Sequence, residues 1–413
     1  MKSEFLVMSQ DVRKERANRI DFSNVFSFDK SIAAAAILLS LLGILFIYSA
    51  SKYSASVQLG DAFHYVKTQA IALFVGVLAM FGLSFFDANN FQKLALPLYI
   101  VGLVLLALVF LPVVGVESYG AKRWLNLGFF TIQPSEYAKF FMVMLIAKYM
   151  SKNDMSKLRN VFVVLVIGGL VALLLILEPN MSITICVVAV LIAMLFFGGI
   201  KGRHLFLLMI PLVIGAVLLV LVEPYRIKRL LAFLNPWESP LEEGYQLIQS
   251  YYALGSGGLF GVGIGNSRQK YLFLPFAESD FILSVIGEET GLVGVFFVML
   301  VFLFIAYRGI KIARYAATRF SCYLAYGIVA VMTVQTLINF AVVCGAIPPT
   351  GLPLPFMSAG GSSLVAYLSA VGILLSISKN QVKFLRADSF DFARKPQNFH
   401  NMIEKKRPWR KHD

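Results

Sequence analysis

Cysteine and histidine are nearly absent from this chain, with three and four respectively in 413 residues. Cys186, Cys322 and Cys344 all fall in or at the ends of apolar stretches. An odd number in such places argues against a disulfide framework and for ordinary packing. His64, His204, His400 and His412 share no ligand-like spacing with one another or with a cysteine, which argues against a zinc site. Charge is also scarce, at 15% of residues against roughly a quarter in a soluble domain. Acids are scarcer than bases: 23 Asp and Glu stand against 37 Lys and Arg, a net charge of +14. So basic a chain raises nucleic acid as a partner. The cations sort to one side of a membrane once the apolar segments are laid out, so no nucleic-acid partner is expected.

Apolar sequence is what the chain has in abundance, at 58% of residues. Repeated apolar stretches of about 17–25 residues are spanning helices, since only helices and closed barrels satisfy every backbone group in lipid. The expected fold is an all-α polytopic membrane protein with about ten transmembrane helices. The spans fall at 31–51, 66–86, 94–114, 136–150, 161–177, 182–199, 205–222, 281–306, 321–344 and 361–378. The first follows a mixed-charge tail and lacks a small-residue cleavage site, so it is expected to be a span and not a signal peptide. Glu178-Pro179-Asn180 interrupts one long apolar run and reads as a tight re-entry. With the N-terminus inside, 27 of the 37 Lys and Arg lie on the inner side. That bias places both termini in the cytoplasm and the large loop 223–280, between helices seven and eight, outside. The chain then divides into an N-terminal tail at 1–30, a ten-helix domain at 31–378 and a basic tail at 379–413. The last carries ten cations. It is expected to rest against anionic lipid, with docking of a cytoplasmic partner as the alternative.

Four outward segments hold the residues that invite chemistry. In the first, Lys122 and Arg123 are adjacent charge-assisted donors suited to phosphate oxygens. Trp124 suits the membrane interface. Pro134, Ser135 and Glu136 read as a helix start, with Lys139 a turn further on. The second is the loop 223–280, with five cations and six acids. It contains Arg226, Lys228 and Arg229 beyond a span, then Gln246 and Gln249 at i, i+3. Those amides suit hydrogen bonding to sugar or peptide, or form the wet face of a surface helix. The glycine-rich run at 255–265 has no βαβ unit around it and is not a dinucleotide fingerprint; it reads as a flexible or closely packed backbone. The third segment runs from Lys270 into an apolar stretch through Asp280, with Glu288 and Glu289 deeper in it. Asp280, Ser284, Gly287 and Gly291 would share one stripe of a helix starting there, leaving room for something bulky. Acids at membrane depth are costly and are functional candidates by default; for Asp280 the plain alternative is a helix cap. The fourth, 347–363, carries four prolines and three glycines and includes Ser358. It reads as a stiff non-helical element, tolerated at membrane depth only against protein or a wet cavity.

Together these segments resemble one family, the SEDS proteins (shape, elongation, division and sporulation), which include FtsW, RodA and SpoVE. The matching stretches are IYSAS at 47–51, AKRWLNLG at 121–128, QPSEYAK at 133–139, EPYRIKRLLAFLNPWESP at 223–240, GYQLIQS at 244–250, SDFILSVIGEETG at 279–291 and PPTGLPLPFMSAGGSS at 348–363. The EPYR…NPW stretch and NSRQK at 266–270 are more similar to the division member FtsW than to RodA, and SpoVE is also similar. Two departures stand out. The family's usual QPDLG reads Glu178-Pro179-Asn180-Met181-Ser182, which moves an acid across the proline, and its PE-x-x-TD reads Pro275 to Asp280 with Ser279 for threonine.

The resemblance implies a peptidoglycan glycosyltransferase. It would polymerise lipid II on the outer face of the bacterial cytoplasmic membrane, at the division septum, beside a class B penicillin-binding protein and other divisome membrane proteins. It also implies that Asp280 is the essential acid. The reaction joins an acceptor 4-hydroxyl to the anomeric carbon of a donor whose leaving group is a polyprenyl diphosphate, with inversion. Asp280 is the expected general base. Lys122, Arg123, Arg226, Arg229 and Lys270 are candidates to hold diphosphate. Gln246, Gln249 and Ser358 are further candidates for substrate contact. Trp124, Glu136, Lys139, Glu178, Glu288 and Glu289 are expected to support the site. No cofactor is certain; a divalent cation, Mg or Mn, is the one candidate. A lipid II flippase and a non-catalytic division scaffold are the competing readings.

Overall fold

The structure, a computed structural model, describes residues 28–392 apart from Val113, Tyr119, Gly120, Leu127, Phe129, Phe130 and Glu223. The N-terminal tail up to residue 27 and the C-terminal tail from 393, with its Lys405-Lys406-Arg407 run, lie outside the described residues. The helices in chain order are α1 (Lys30–Leu59), α2 (His64–Phe85), α3 (Ala88–Leu108), α4 (Pro134–Lys152), α5 (Leu158–Leu177), α6 (Met181–Phe197), α7 (Gly202–Val222), α8 (Pro224–Leu234), α9 (Tyr245–Gly257), α10 (Ile282–Arg314), α11 (Arg319–Val343) and α12 (Gly361–Phe392). Among the described residues seven helices are long and apolar enough to cross a membrane: α1, α2, α3, α5, α10, α11 and α12 up to Lys379. The apolar α6 and the start of α7 are shorter. Helix α4 covers the fourth expected span but carries Glu136, Lys139, Lys148 and Lys152. It tolerates the first two because it packs inside the protein, with both side chains buried.

Local chemistry fixes several helix starts. Asp29 caps α1 by accepting from Ser31 N at 3.1 Å. Asp87 accepts from Asn89 N at the start of α3, and Thr318 from Ser321 N at the start of α11. Helices α2 and α12 pack side by side, and α10 and α11 likewise. Small residues permit this closeness: a Cβ added at Gly372 would lie 2.4 Å from the Met80 carbonyl oxygen.

The all-α expectation needs one correction. Residues Gly115–Ser118 (β1), Ala121–Asn126 (β2) and Thr131–Ile132 (β3) form a three-stranded antiparallel sheet in the order β1-β2-β3. Helix α3 stops at Leu108, where the expected span ran to 114. Along β2 the side chains alternate, so Arg123 shares a face with buried Leu125, while Lys122 and Trp124 share the other.

A second difference lies in α10. The helix is broken at Gly291, at φ 68 and ψ −168. Glycine-rich backbone repairs the break. Val262 N and Gly263 N donate to the Glu288 and Glu289 carbonyls at 2.9 and 3.0 Å, while Leu292 N and Val293 N donate to the Gly258 and Leu259 carbonyls at 2.9 and 3.2 Å. The two helical bonds lost at the break are thus exchanged for four to the 258–263 segment. A break inside so apolar a helix is tolerated when its backbone groups are satisfied in this way by protein. The bulky neighbour expected along the Gly287–Gly291 stripe is therefore α9 and the turn after it. A Cβ at Gly291 would lie 2.4 Å from the Leu259 carbonyl, in a backbone region open essentially to glycine alone. Gly291→Ala is expected to cost at least ~1–3 kcal/mol, read as a lower melting temperature in detergent. An unchanged melting curve would remove the argument for this junction.

Candidate active site

Residues 278–280 approach α10 with three successive carbonyls pinned by three different donors. Glu278 O accepts from Ala359 N at 2.8 Å. Ser279 O accepts from Ser358 Oγ at 2.6 Å, and Asp280 O from Asn339 Nδ2 at 2.9 Å. The proline-rich segment is itself held: Ser358 Oγ accepts from Leu354 N at 2.7 Å, Gln335 Nε2 donates to Pro353 O at 2.9 Å, and Gln69 Nε2 to Ser358 O at 3.1 Å.

This frame presents the Asp280 side chain. Helix α10 begins at Ile282 behind an N-cap, Phe281, that makes no side-chain cap bond, so the Asp280 carboxylate is not spent on capping. It accepts from Ser279 Oγ at 3.1 Å and is half-buried. Gly351, at φ 74, borders it closely: a Cβ there would lie 3.2 Å from Asp280 Oδ2. Burial pushes the Asp280 carboxyl up to about 6. The Ser279 hydrogen bond opposes that rise, nearby Glu278 adds to it, and Arg123 and Arg229 pull it down. Burial also raises Glu278. Arg123 acts on a second acid, Glu178, which burial pushes up to about 8 against the pull of that guanidinium. Arg123 also donates to Pro179 O at 2.6 Å, tying β2 to the α5–α6 junction. Neither carboxylate oxygen of Glu178 has a hydrogen-bond partner among the described residues.

Of the residues expected from sequence, the structure fastens Ser358 to the Ser279 carbonyl beside Asp280 and ties Arg123 to Pro179, next to Glu178, while Arg123 and Arg229 draw the Asp280 carboxyl down as lesser influences. Lys122 and Trp124 are half-buried on the other face of β2. Gln246 and Gln249 are half-buried on α9. Arg226 belongs to α8, and its side chain lies outside the described residues. Lys270 is elsewhere. It is 7% exposed, and its ammonium donates to Glu289 Oε1 at 3.2 Å, to Ser49 Oγ at 3.2 Å and to the Gly265 carbonyl. Its three N–H bonds are used within the fold, which replaces the expected grip on diphosphate. Glu289 also accepts from Ser49 Oγ at 2.5 Å. Glu288 accepts from Ser267 Oγ at 2.5 Å and Arg268 N at 2.8 Å. These acids fasten the loop to α1 and α10 at the helix break. Glu136 and Lys139 form a separate buried pair at 2.8 Å, which Gln335 links to the proline-rich segment.

Gln335, Asn339 and Gln69 were missed by reasoning from charge. A signal was available: Gln335 and Asn339 stand at i, i+4 in an apolar span, which puts two amides on one face. Glu278 carried no signal separable from the turn around it, and Ser279 showed only as a replacement for the family's threonine.

These features define a polytopic membrane protein with a shielded acid and two arginines where the long loop enters α10. The chain belongs to the FtsW/RodA/SpoVE family of cell cycle proteins, whose sequence profile matches residues 29–383. It is 39% identical over 354 residues to stage V sporulation protein E of Bacillus subtilis (strain 168), covering 85% of this chain and 97% of that one. It is 38% identical over 359 residues to a probable peptidoglycan glycosyltransferase FtsW of Geobacter sp. (strain M18), covering 86% and 97%. Among solved structures, a chain from work on the coordination of polymerization and crosslinking by a peptidoglycan synthase complex superposes with a TM-score of 0.72 at 28% identity, over 86% of this chain and 99% of that one. The rod shape determining protein RodA of Thermus thermophilus gives 0.65 at 26% identity, over 86% and 98%.

Proposed function

We propose that this chain is a peptidoglycan glycosyltransferase that polymerises lipid II during septal cell-wall synthesis, with Asp280 as the general base. It works in the bacterial cytoplasmic membrane as a protein of about ten spans, both termini in the cytoplasm and the 223–280 loop outside, beside a class B penicillin-binding protein. The observation that carries the reading is the Asp280 carboxylate, free of helix capping and bordered by Gly351, on a backbone held at three successive carbonyls, with Arg123 and Arg229 drawing its carboxyl down. The acid takes the proton of the acceptor 4-hydroxyl as its oxygen attacks the anomeric carbon. The guanidinium groups stabilise the negative charge that collects on the departing diphosphate. Among the described residues no three or more His, Cys, Asp or Glu form a metal-binding group. A Mg or Mn ion would therefore draw most of its ligands from the substrate diphosphate and water.

The test is chain growth from purified lipid II in detergent with the cognate penicillin-binding protein present. Polymer is the expected result. A flippase has no sidedness to act on in detergent and makes no polymer, and a scaffold makes none either. Absence of polymer from the assembled, folded complex would overturn the assignment.

A further inference from the structure

The Asn339 side chain is 1% exposed, and its amide is used asymmetrically. Both hydrogens of Nδ2 are donated, to Asp280 O at 2.9 Å and to Leu352 O at 2.7 Å. Oδ1 accepts nothing from the described residues. Asn339 thus acts as a two-way donor between the residue that carries the acid and the loop that borders it. Gln335, one turn earlier on α11, donates to the neighbouring carbonyl of Pro353 at 2.9 Å. The two amides together hold successive carbonyls of the proline-rich segment, but only Asn339 reaches across to Asp280. Beside Leu352 stands Gly351, whose missing side chain leaves the gap at Asp280 Oδ2.

We infer that Asn339 is a positioning residue for the glycosyl transfer, setting the spacing between Asp280 and the Gly351–Leu352 backbone without touching substrate. The inference rests on the reading of Asp280 as the base. It predicts a particular failure when the amide is removed. Gln335 still holds the loop, and Ala359 and Ser358 still hold the carbonyls of Glu278 and Ser279. The fold therefore persists while the acid at residue 280 loses its register. A shift of about 1 Å at a reacting group costs on the order of 10²-fold in rate.

The experiment compares Asn339→Ala, Asn339→Asp and Asp280→Asn with wild type in the lipid II assay, using full-length protein in complex with its penicillin-binding protein. Asn339→Asp keeps the shape and removes the two amide hydrogens. The expected result for both Asn339 variants is a kcat about 10- to 100-fold lower, with KM close to wild type and a monodisperse, partner-bound complex. A merely structural residue would lower the folded fraction and leave kcat per folded complex unchanged. A folded variant of either kind with wild-type kcat overturns the inference, and so does failure of both to fold, which would make Asn339 a folding residue. If Asp280→Asn retains wild-type activity, the base assignment falls instead.

Discussion

Asp280→Asn stops glycan-strand growth from lipid II and leaves the protein folded. The fold tolerates the change because the carboxylate caps no helix, and an Asn carbonyl still accepts from Ser279. What is lost is the capacity to take a proton, worth about 10²–10⁴-fold in rate. The pH dependence follows from the same environment. Only the ionised acid is a base, so the wild-type rate falls on the acid side with a midpoint near the carboxyl's value of about 6. Ser279→Ala removes the hydrogen bond that most favours the ionised form, so its acid limb moves to higher pH. Stability runs in the opposite sense. The carboxyl is raised in the fold from 3.8 to about 6. Ionisation therefore costs folding free energy as pH rises through that window, and the cost is complete above it. Asp280→Asn should melt no lower than wild type at pH 7.5, and the two curves should converge below about pH 3. A dead variant that is also unstable at neutral pH would mean that the carboxylate serves the fold.

How far the sequence foretold this site depends on the kind of signal each part gives. Long apolar runs foretold where helices form: 205–222 and 361–378 lie within α7 and α12, although among the described residues only α12 of these two is long and apolar enough to cross a membrane. Acids at membrane depth marked Asp280 and the Glu288–Glu289 pair as special, but charge alone does not separate a residue that faces substrate from one that ties down a loop. Lys270 shows why. Its partners Ser49 and Glu289 come from α1 and α10, and pairing across such distances leaves no local pattern. The break at Gly291 was invisible because helix periodicity continues through it; only the exchange of backbone bonds with 258–263 reveals it. The sheet at 115–132 was missed since the signal in β2 is six residues of weak alternation beside a strongly apolar helix. Asn339 is the clearest loss. An uncharged amide in a span reads as tolerated polarity until its two carbonyl partners are known.

Lys139→Met is the most destabilising single change expected within the bundle. Lys139 is 1% exposed and Glu136 is 0%. The ammonium donates to Glu136 Oε2 at 2.8 Å, Gln335 Oε1 at 2.7 Å and Tyr367 OH at 3.1 Å. Removing it strands a carboxylate whose other oxygen already has no partner among the described residues. An unpaired buried charge of this kind costs about 3–5 kcal/mol. The loss reaches the site as well, because Gln335 carries the Pro353 carbonyl. Removing both charges behaves differently. In Glu136→Gln/Lys139→Met neither ion of this pair is left, and Tyr367 OH still donates to Gln335 Oε1 at 2.5 Å. Replacement of a buried pair by neutral groups is often close to neutral in energy, so the double variant should recover most of the melting temperature and of the polymerising activity lost by Lys139→Met. A double-mutant cycle in detergent measures the coupling directly. If the double variant is as unstable as the single, the lysine acts through Gln335 and Tyr367 and its pairing with Glu136 is incidental. If stability returns without activity, the charge itself is needed beneath the proline-rich segment, which would add a functional requirement to a cluster that packing alone otherwise accounts for.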